Sequence, residues 1–237
     1  MFLLYFVIVL AHFITVNAHA YVDSIFFVGS YSNSICAYSI SKHTGNIRFV
    51  NSTTDESIDQ PSWLLLSNSK RFLYAVSEVD NYEGYSGAVS SYLIDPITFT
   101  LTLINKISTH GASPCHAAID DKDTSLYISN YCSGTISMIP LLSDGSLGNV
   151  TQVIDHNTAP VDDCSGAHVH EVVLSDSGSI LSNDLGMFVC LYVPCWTLLF
   201  ICPLLDTVVY MSPVGHCCLY VPCWTLLFIC PLLDTVV

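Results

Sequence analysis

"PCHAAIDDKDTSLYISNYCSGTISMIPLLSDGSL" occupies residues 114–147. An apolar run (HAAI) gives way to a polar turn (DDKDTS) and a second apolar run (LYISNY). A small-residue turn (CSG) then leads to an alternating run (TISMIPL). Turn letters return roughly every 8–12 residues and no helical period competes, so the stretch predicts short antiparallel strands. The pattern is not unique to this stretch. "PSWLLLSNSKRFLYAVSE" (61–78) and "HVHEVVLSDSGSILSNDLG" (168–186) align with "PCHAAIDDKDTSLYISNY" (114–131). Trp63, His116 and His170 then share one column, 53 and 54 residues apart. A second register aligns "FFVGSYSNSICAYSISKHTGNI" (26–47) with "LYISNYCSGTISMIPLLSDGSL" (126–147), and "LYAVSEVDNYEGYSGAVSSYLIDPITFTL" (73–101) is a longer version.

Four short strands per unit of about fifty residues is the pattern of a β-propeller blade, whose bare face is covered only when a neighbour stacks on it. Periodicity alone also admits a β-sandwich; the three aligned columns favour the propeller. The expected fold is therefore all-β, a propeller with about three blades in residues 21–187. The innermost strand of each blade lines the central channel, so Trp63, His116 and His170 are expected at one pocket mouth. Glu78, Asn130 and Asp184 follow fourteen or fifteen residues later. The antiparallel return brings them back to the same rim. Trp63, Glu78, His116, Asn130, His168, His170 and Asp184 thus make up the expected funnel.

The quoted segments of residues 61–78, 111–141 and 166–186 resemble the seven-bladed lactonase family, which includes a bacterial type of 6-phosphogluconolactonase and carboxymuconate-lactonising enzymes. The resemblance runs from about Ser24 to Met187. It implies a seven-bladed propeller and chemistry on a small-molecule lactone, with no cofactor. Residues 21–187 supply about three blades where seven are expected, a departure that suggests an incomplete propeller. In the lactonising members a histidine opening this strand is proposed as catalytic, and by motif it maps to His170.

Lactone hydrolysis needs a base for water and donors for the developing oxyanion. Histidine suits the base at neutral pH. His170 is the first candidate, with His116 and Glu78 as further catalytic candidates; Glu78 or Asp184 would orient an imidazole. Trp63, Asn130, His168 and Asp184 are the substrate-binding candidates, Asn130 as an oxyanion donor. Blander readings stand beside these. Trp63 suits blade packing, His116 suits a packed rim position, and Glu78 and Asp184 suit turn caps. His168 and His170 share a strand face, but no third ligand stands at a recognisable spacing, so no metal is expected. A non-catalytic secreted propeller that binds a ligand or protein on its rim is the alternative function.

Charge narrows the partners. Six Lys and Arg stand against twenty Asp and Glu, a formal net charge of −14. Such a surface argues against nucleic acid and against anionic membranes. A phosphorylated lactone would want Arg or Lys, and none lies in the rim columns.

The two ends of the chain read differently from its body. Residues 1–20 hold "MFLLYFVIVLAHFITV" and then Ala18-His19-Ala20. A short apolar run before a small-x-small triplet predicts a secretory signal, with an uncleaved anchor as the alternative, and a secreted protein beginning at Tyr21. Asn51-Ser52-Thr53 and Asn149-Val150-Thr151 are then glycosylation acceptors. Four of the eleven cysteines, Cys36, Cys115, Cys132 and Cys164, lie in the body and allow two disulfides in three pairings.

The other end repeats itself: "CLYVPCWTLLFICPLLDTVV" at 190–209 recurs unchanged at 218–237. Length and apolarity allow a membrane hairpin, against Pro194 and Pro203 inside the run. Cys190, Cys195 and Cys202 lack zinc-type pairing. A third reading fits letter for letter. The tandem DNA unit TATATGTCCCCTGTTGGACACTGTTGTT, read through three successive frames, gives YMSPVGHCC, LYVPCWTLL and FICPLLDTVV, which are residues 210–237. Residues 188–237 are therefore expected to be a translated tandem repeat, and membrane contact is expected only if that tail is real.

Overall fold

In the computed structural model, side chains are described for residues 24–157, 164–175 and 178–185, and backbone strands at 14–15, 188–194, 208–211 and 216–222. The cleavage triplet at 18–20 and the tail thiols lie outside the described side chains.

Pairing is antiparallel throughout, and in the first three sheets it follows chain order. The first sheet holds β1 (Ile14–Thr15), β2 (Ser24–Val28), β3 (Ser34–Ile40) and β4 (Ile47–Thr54). The second holds β5 (Pro61–Leu66), β6 (Phe72–Ser77), β7 (Ala88–Ile94) and β8 (Leu101–Ser108). The third holds β9 (Pro114–Ile119), β10 (Ser125–Asn130), β11 (Thr135–Pro140) and β12 (Gln152–Asp155). The fourth begins with β13 (Val169–Leu174), β14 (Ile180–Asp184) and β15 (Phe188–Pro194). It continues through β17 (His216–Pro222) to β16 (Val208–Met211).

Sheets stack because their strands are apolar on both faces. All six residues of β6 are buried. Leu73 and Ala75 enter the core shared with the first sheet, beside Phe27, Ile35 and Tyr92. Phe72, Tyr74 and Val76 enter the core shared with the third, beside Leu126, Ile128 and Ile139. The period of two thus serves two cores, one on each side of a blade. A smaller core of Ile136, Val169 and Val172 joins the third sheet to the fourth. The first strands converge: β5 packs on β9, and β9 on β13. This is the arrangement of adjacent propeller blades about an axis. By contrast the outer strand β4 is largely exposed.

Polar groups lock the seams. Asp123 accepts from the Asn68 amide (2.8 Å), the Asn68 side chain (2.9 Å) and the Ser69 amide (3.2 Å). Asn105 and Leu147 exchange two bonds, at 2.8 and 3.0 Å. Ser91 donates to the Gly145 carbonyl at 2.6 Å. Gly145 has φ +85°, and a Cβ there would lie 2.3 Å from the Phe72 ring, so this seam requires glycine.

Of the four body cysteines, Cys132 and Cys164 form a disulfide, while Cys36 and Cys115 are free thiols. Of the two disulfides that four cysteines allow, one is formed; Cys36 and Cys115 stand in different sheets. Cys36 donates to Ser52 within the first, and Cys115 faces the His170 carbonyl in the fourth. The bond spans 32 residues and ties the end of β10 to the segment leading into β13. Its removal in a Cys132→Ser, Cys164→Ser double variant lowers unfolding free energy by about 4 kcal/mol in the loop-closure account. Urea denaturation checks this, with a lower midpoint and a larger m as the unfolded chain opens; an unmoved midpoint contradicts it.

Candidate active site at the converging strand ends

The starts of β5, β9 and β13 meet the ends of β6, β10 and β14 at one end of the blades. A backbone ladder builds this rim. Glu78, Tyr131 and Leu185 amides donate to the carbonyls of Gln60 (3.1 Å), Ser113 (2.9 Å) and His168 (2.9 Å). Gln60 and Ser113 in turn donate to Ser32 (3.0 Å) and Val79 (2.8 Å) in the preceding sheet. Gln60 and Ser113 adopt positive φ, 42° and 51°.

A β-bulge repeats in the first strands of the second, third and fourth sheets. Ser62 stands unpaired between Pro61 and Trp63, Cys115 between Pro114 and His116, and His170 between Val169 and Glu171. The expected column is thereby corrected by one residue. Trp63 and His116 continue into Glu171, while His170 succeeds Ser62 and Cys115. Likewise Ser77, Asn130 and Asp184 pair opposite the strand starts. Glu78 lies one step beyond, in the ladder column of Tyr131. A bulged residue is released from the ladder and re-aimed, a common device beside active sites. His170 is exposed there.

The other candidates divide by environment. Trp63 packs against the cores on both sides of the second sheet. Its Nε1 donates to the Ala117 carbonyl at 3.1 Å, and its ring lies 4.0 Å from that of His116. These contacts place it in the seam between the second and third sheets. The Nδ1 of His116 accepts the Val172 amide at 3.4 Å. Burial, and secondarily the neighbouring His170, push its pKa down to about 4. An imidazole so weakly basic is a poor match for general-base work near pH 7.

Asn130 is fully buried, and its amide donates to Thr135 (3.0 Å) and Ser137 (2.9 Å). With both protons engaged and Gly111 packed over its side chain, it has no donor left for an oxyanion. Asp184 is similarly occupied. Oδ1 accepts the His168 amide at 2.8 Å and Oδ2 faces His156 Nδ1 at 3.4 Å, with the two side chains 7% and 2% exposed. It anchors the start of β13.

The open part of the rim comprises Tyr31, Glu78, Tyr131, His168 and His170. Tyr31 donates to Glu78 at 3.0 Å across the first seam. Burial first, then the Glu78 charge, push the phenol up to about 12. The same two causes push the Cys115 thiol up to about 12, which rules it out as a thiolate nucleophile near neutrality. His168 stacks on Tyr131 at 4.5 Å and 7°. Its Nδ1 lies 3.3 Å from the Tyr131 carbonyl, which can only accept, so that nitrogen carries the proton. The edge of the Tyr131 ring meets His170 at 6.0 Å. Among the described residues no cluster suits a metal ion.

Tyr31, Tyr131 and Cys115 were missed by sequence reasoning. "FVGSY", "YAVSE" and "YISNY" carried the signal for two of them, since the last letter of each falls in the Tyr31–Glu78–Tyr131 column.

Charge segregates along the strands. The rim connections β4–β5 and β6–β7 carry Asp55, Glu56, Asp59, Glu78, Asp80 and Glu83. Lys42, Arg48, Lys70, Arg71 and Lys122 all lie at the opposite end, where Asp95, Asp120, Asp121, Asp123 and Asp144 balance them. Lys106 alone stands on the rim side. It donates to the Ser57 carbonyl at 2.9 Å and lies over Tyr82 at 4.9 Å.

The neutral state of His116 has a measurable consequence. The unfolded chain takes up this proton near pH 6.5 and the folded chain only near pH 4, so protons pull toward unfolding inside that window. Stability falls as pH drops from about 6.5 to about 4, by up to about 3 kcal/mol. Chemical denaturation across that range, compared with His116→Gln, should show a steeper loss in the parent; parallel curves would refute the assignment.

Comparison with known proteins agrees with this geometry. A Bacillus subtilis 6-phosphogluconolactonase is 26% identical over 132 residues, 55% of this chain and 37% of the relative. The crystal structure of a putative 6-phosphogluconolactonase from Bacteroides fragilis superposes with a TM-score of 0.63 at 27% identity, covering 72% of this chain and 48% of that one. A Pseudomonas aeruginosa periplasmic gluconolactonase gives 0.62 at 27% identity, covering 73% and 50%. The chain thus spans about half of these structures and little over a third of the curated relative. The model of the lactonase family of seven-bladed β-propellers matches residues 25–190, and with stacked blades and converging first strands over that span, the chain belongs to that family.

Proposed function

We propose that the chain supplies the His170 side of a lactonase active site that hydrolyses a sugar-type lactone. The supporting observation is an exposed imidazole on an unpaired strand residue at the converging end of the blades. His170 takes a proton from water as that water adds to the ring carbonyl. The tetrahedral intermediate expels the ring oxygen, which receives the proton from the imidazolium, leaving an open-chain hydroxy acid. Glu78 stands on the same rim. Its charge already acts on Cys115, whose sulfur lies 3.3 Å from the His170 carbonyl. Tyr31 holds the Glu78 carboxylate in place.

We infer an unphosphorylated ring as the substrate. The described rim offers a lone cation, Lys106, and it is already engaged with Ser57 and Tyr82, so a phosphate would meet acidic side chains. Secretion and a glycosylated surface fit the same reading. A disulfide suits an oxidising compartment, and one structural neighbour is a periplasmic gluconolactonase. The tandem-repeat tail at 188–237 takes no part in this chemistry; transcript sequencing past codon 187 tests its origin.

Acid release from glucono-δ-lactone and from its 6-phosphate, above the spontaneous rate, tests the activity. Enzymatic opening of the neutral ring is the expected result. Preference for the phosphorylated ring would overturn the substrate class. No acceleration of either, with ligand binding retained, would favour a non-catalytic rim.

A further inference from the structure

Two Asn-x-Ser/Thr triplets lie within the described residues, and the fold uses them in opposite ways. Asn51, in β4, donates through Nδ2 to the Thr98 carbonyl at 3.2 Å and accepts the Ser52 amide at 2.7 Å. Thr53, the last member of that triplet, accepts the Leu101 amide at 3.1 Å. The first triplet therefore stitches the first sheet to the second. Asn149 is exposed, in the connection between β11 and β12. Thr151 is pinned to β11, its amide and hydroxyl both donating to the Met138 carbonyl at 2.9 and 3.2 Å. The second triplet thus has a fixed last residue and an open first one.

We propose that Asn149, and not Asn51, carries an N-linked glycan in the folded protein, an assignment that rests on the secretory reading. The donor is a lipid-pyrophosphate-linked oligosaccharide. The Asn149 Nδ2 forms a bond to the anomeric carbon, the carbon–oxygen bond to the pyrophosphate breaks, the lipid pyrophosphate departs, and the amide gives up one proton. The same substitution on Asn51 places a sugar where Nδ2 meets Thr98, and the seam must open to hold it. A chain modified there keeps a single Nδ2 proton, and its sugar crowds one of the contacts between the first two blades. Asn149 follows the end of β11 remote from His170, so its glycan leaves the rim clear.

The test is production in a eukaryotic secretory host, once behind the chain's own first residues and once behind an unrelated secretion leader. The second arm separates failure of the leader from failure of the glycan assignment. Enzymatic deglycosylation in heavy-oxygen water labels each asparagine that carried sugar. The expected result is label on the Asn149 peptide alone. A single mobility shift should be lost in Asn149→Gln and kept in Asn51→Gln, with lactone turnover unchanged in Asn149→Gln. Label on Asn51, or a secreted folded chain with none on Asn149, would overturn the proposal. Peptide labelling of the unsubstituted protein decides the matter even if Asn51→Gln fails to fold.

Discussion

Under the proposed lactone chemistry, His170→Ala is expected to lower kcat/KM by about 10²–10⁴-fold, the range associated with loss of a general base. The size follows from where the residue stands. His170 is unpaired in the β13 ladder and exposed, so truncation leaves the strand's cross-strand bonds intact and removes little buried surface. Stability should therefore stay within about 0.5 kcal/mol of the parent, as for surface changes away from special features. A variant that folds normally and turns over normally would eliminate His170 as the base. His168→Ala provides the contrast. That ring is held by stacking and by the Tyr131 carbonyl, so its loss should weaken binding more than the chemical step.

Trp63→Ala is expected to cost about 4 kcal/mol of folding stability, within the range for deleting a large aromatic side chain from a packed site. The indole contacts two cores at once and donates across the seam to Ala117. Its removal loosens the second sheet from both neighbours and uncovers His116. Two readouts should move together: the denaturation midpoint falls, and the His116 titration rises from about 4 toward the ordinary value near 6.5. Trp63→Phe should restore most of the packing without the indole N–H, recovering all but about 1 kcal/mol. A Trp63→Ala protein of parental stability would mean that the seam is held elsewhere.

The blade pattern was legible because the inner strands are buried, so short apolar runs such as those of β6 and β10 stand out between recurring turn letters. The site was legible to the nearest residue or so, and the misplacements have one cause. A bulge adds a residue to one strand and not to its partner, and nothing in "PSW", "PCH" or "HVH" marks which residue is extra. His170 was therefore aligned with Trp63 and His116, although its structural counterparts are Ser62 and Cys115. Asn130 and Asp184 illustrate a second limit. An amide or carboxylate at a strand end reads the same whether it faces solvent or is enclosed; only the partners, Thr135 and Ser137 for one and the His168 amide for the other, decide.

The unequal charge of the two strand ends bears on how a reaction cycle would close. An uncharged ring approaching the acidic mouth feels little of its field. Opening that ring creates a carboxylate amid like charge, and the side that admitted the substrate now repels what it has become. Egress is thereby favoured over rebinding without any moving part, and added salt, which shields such repulsion over about 8–10 Å, lengthens the product's stay.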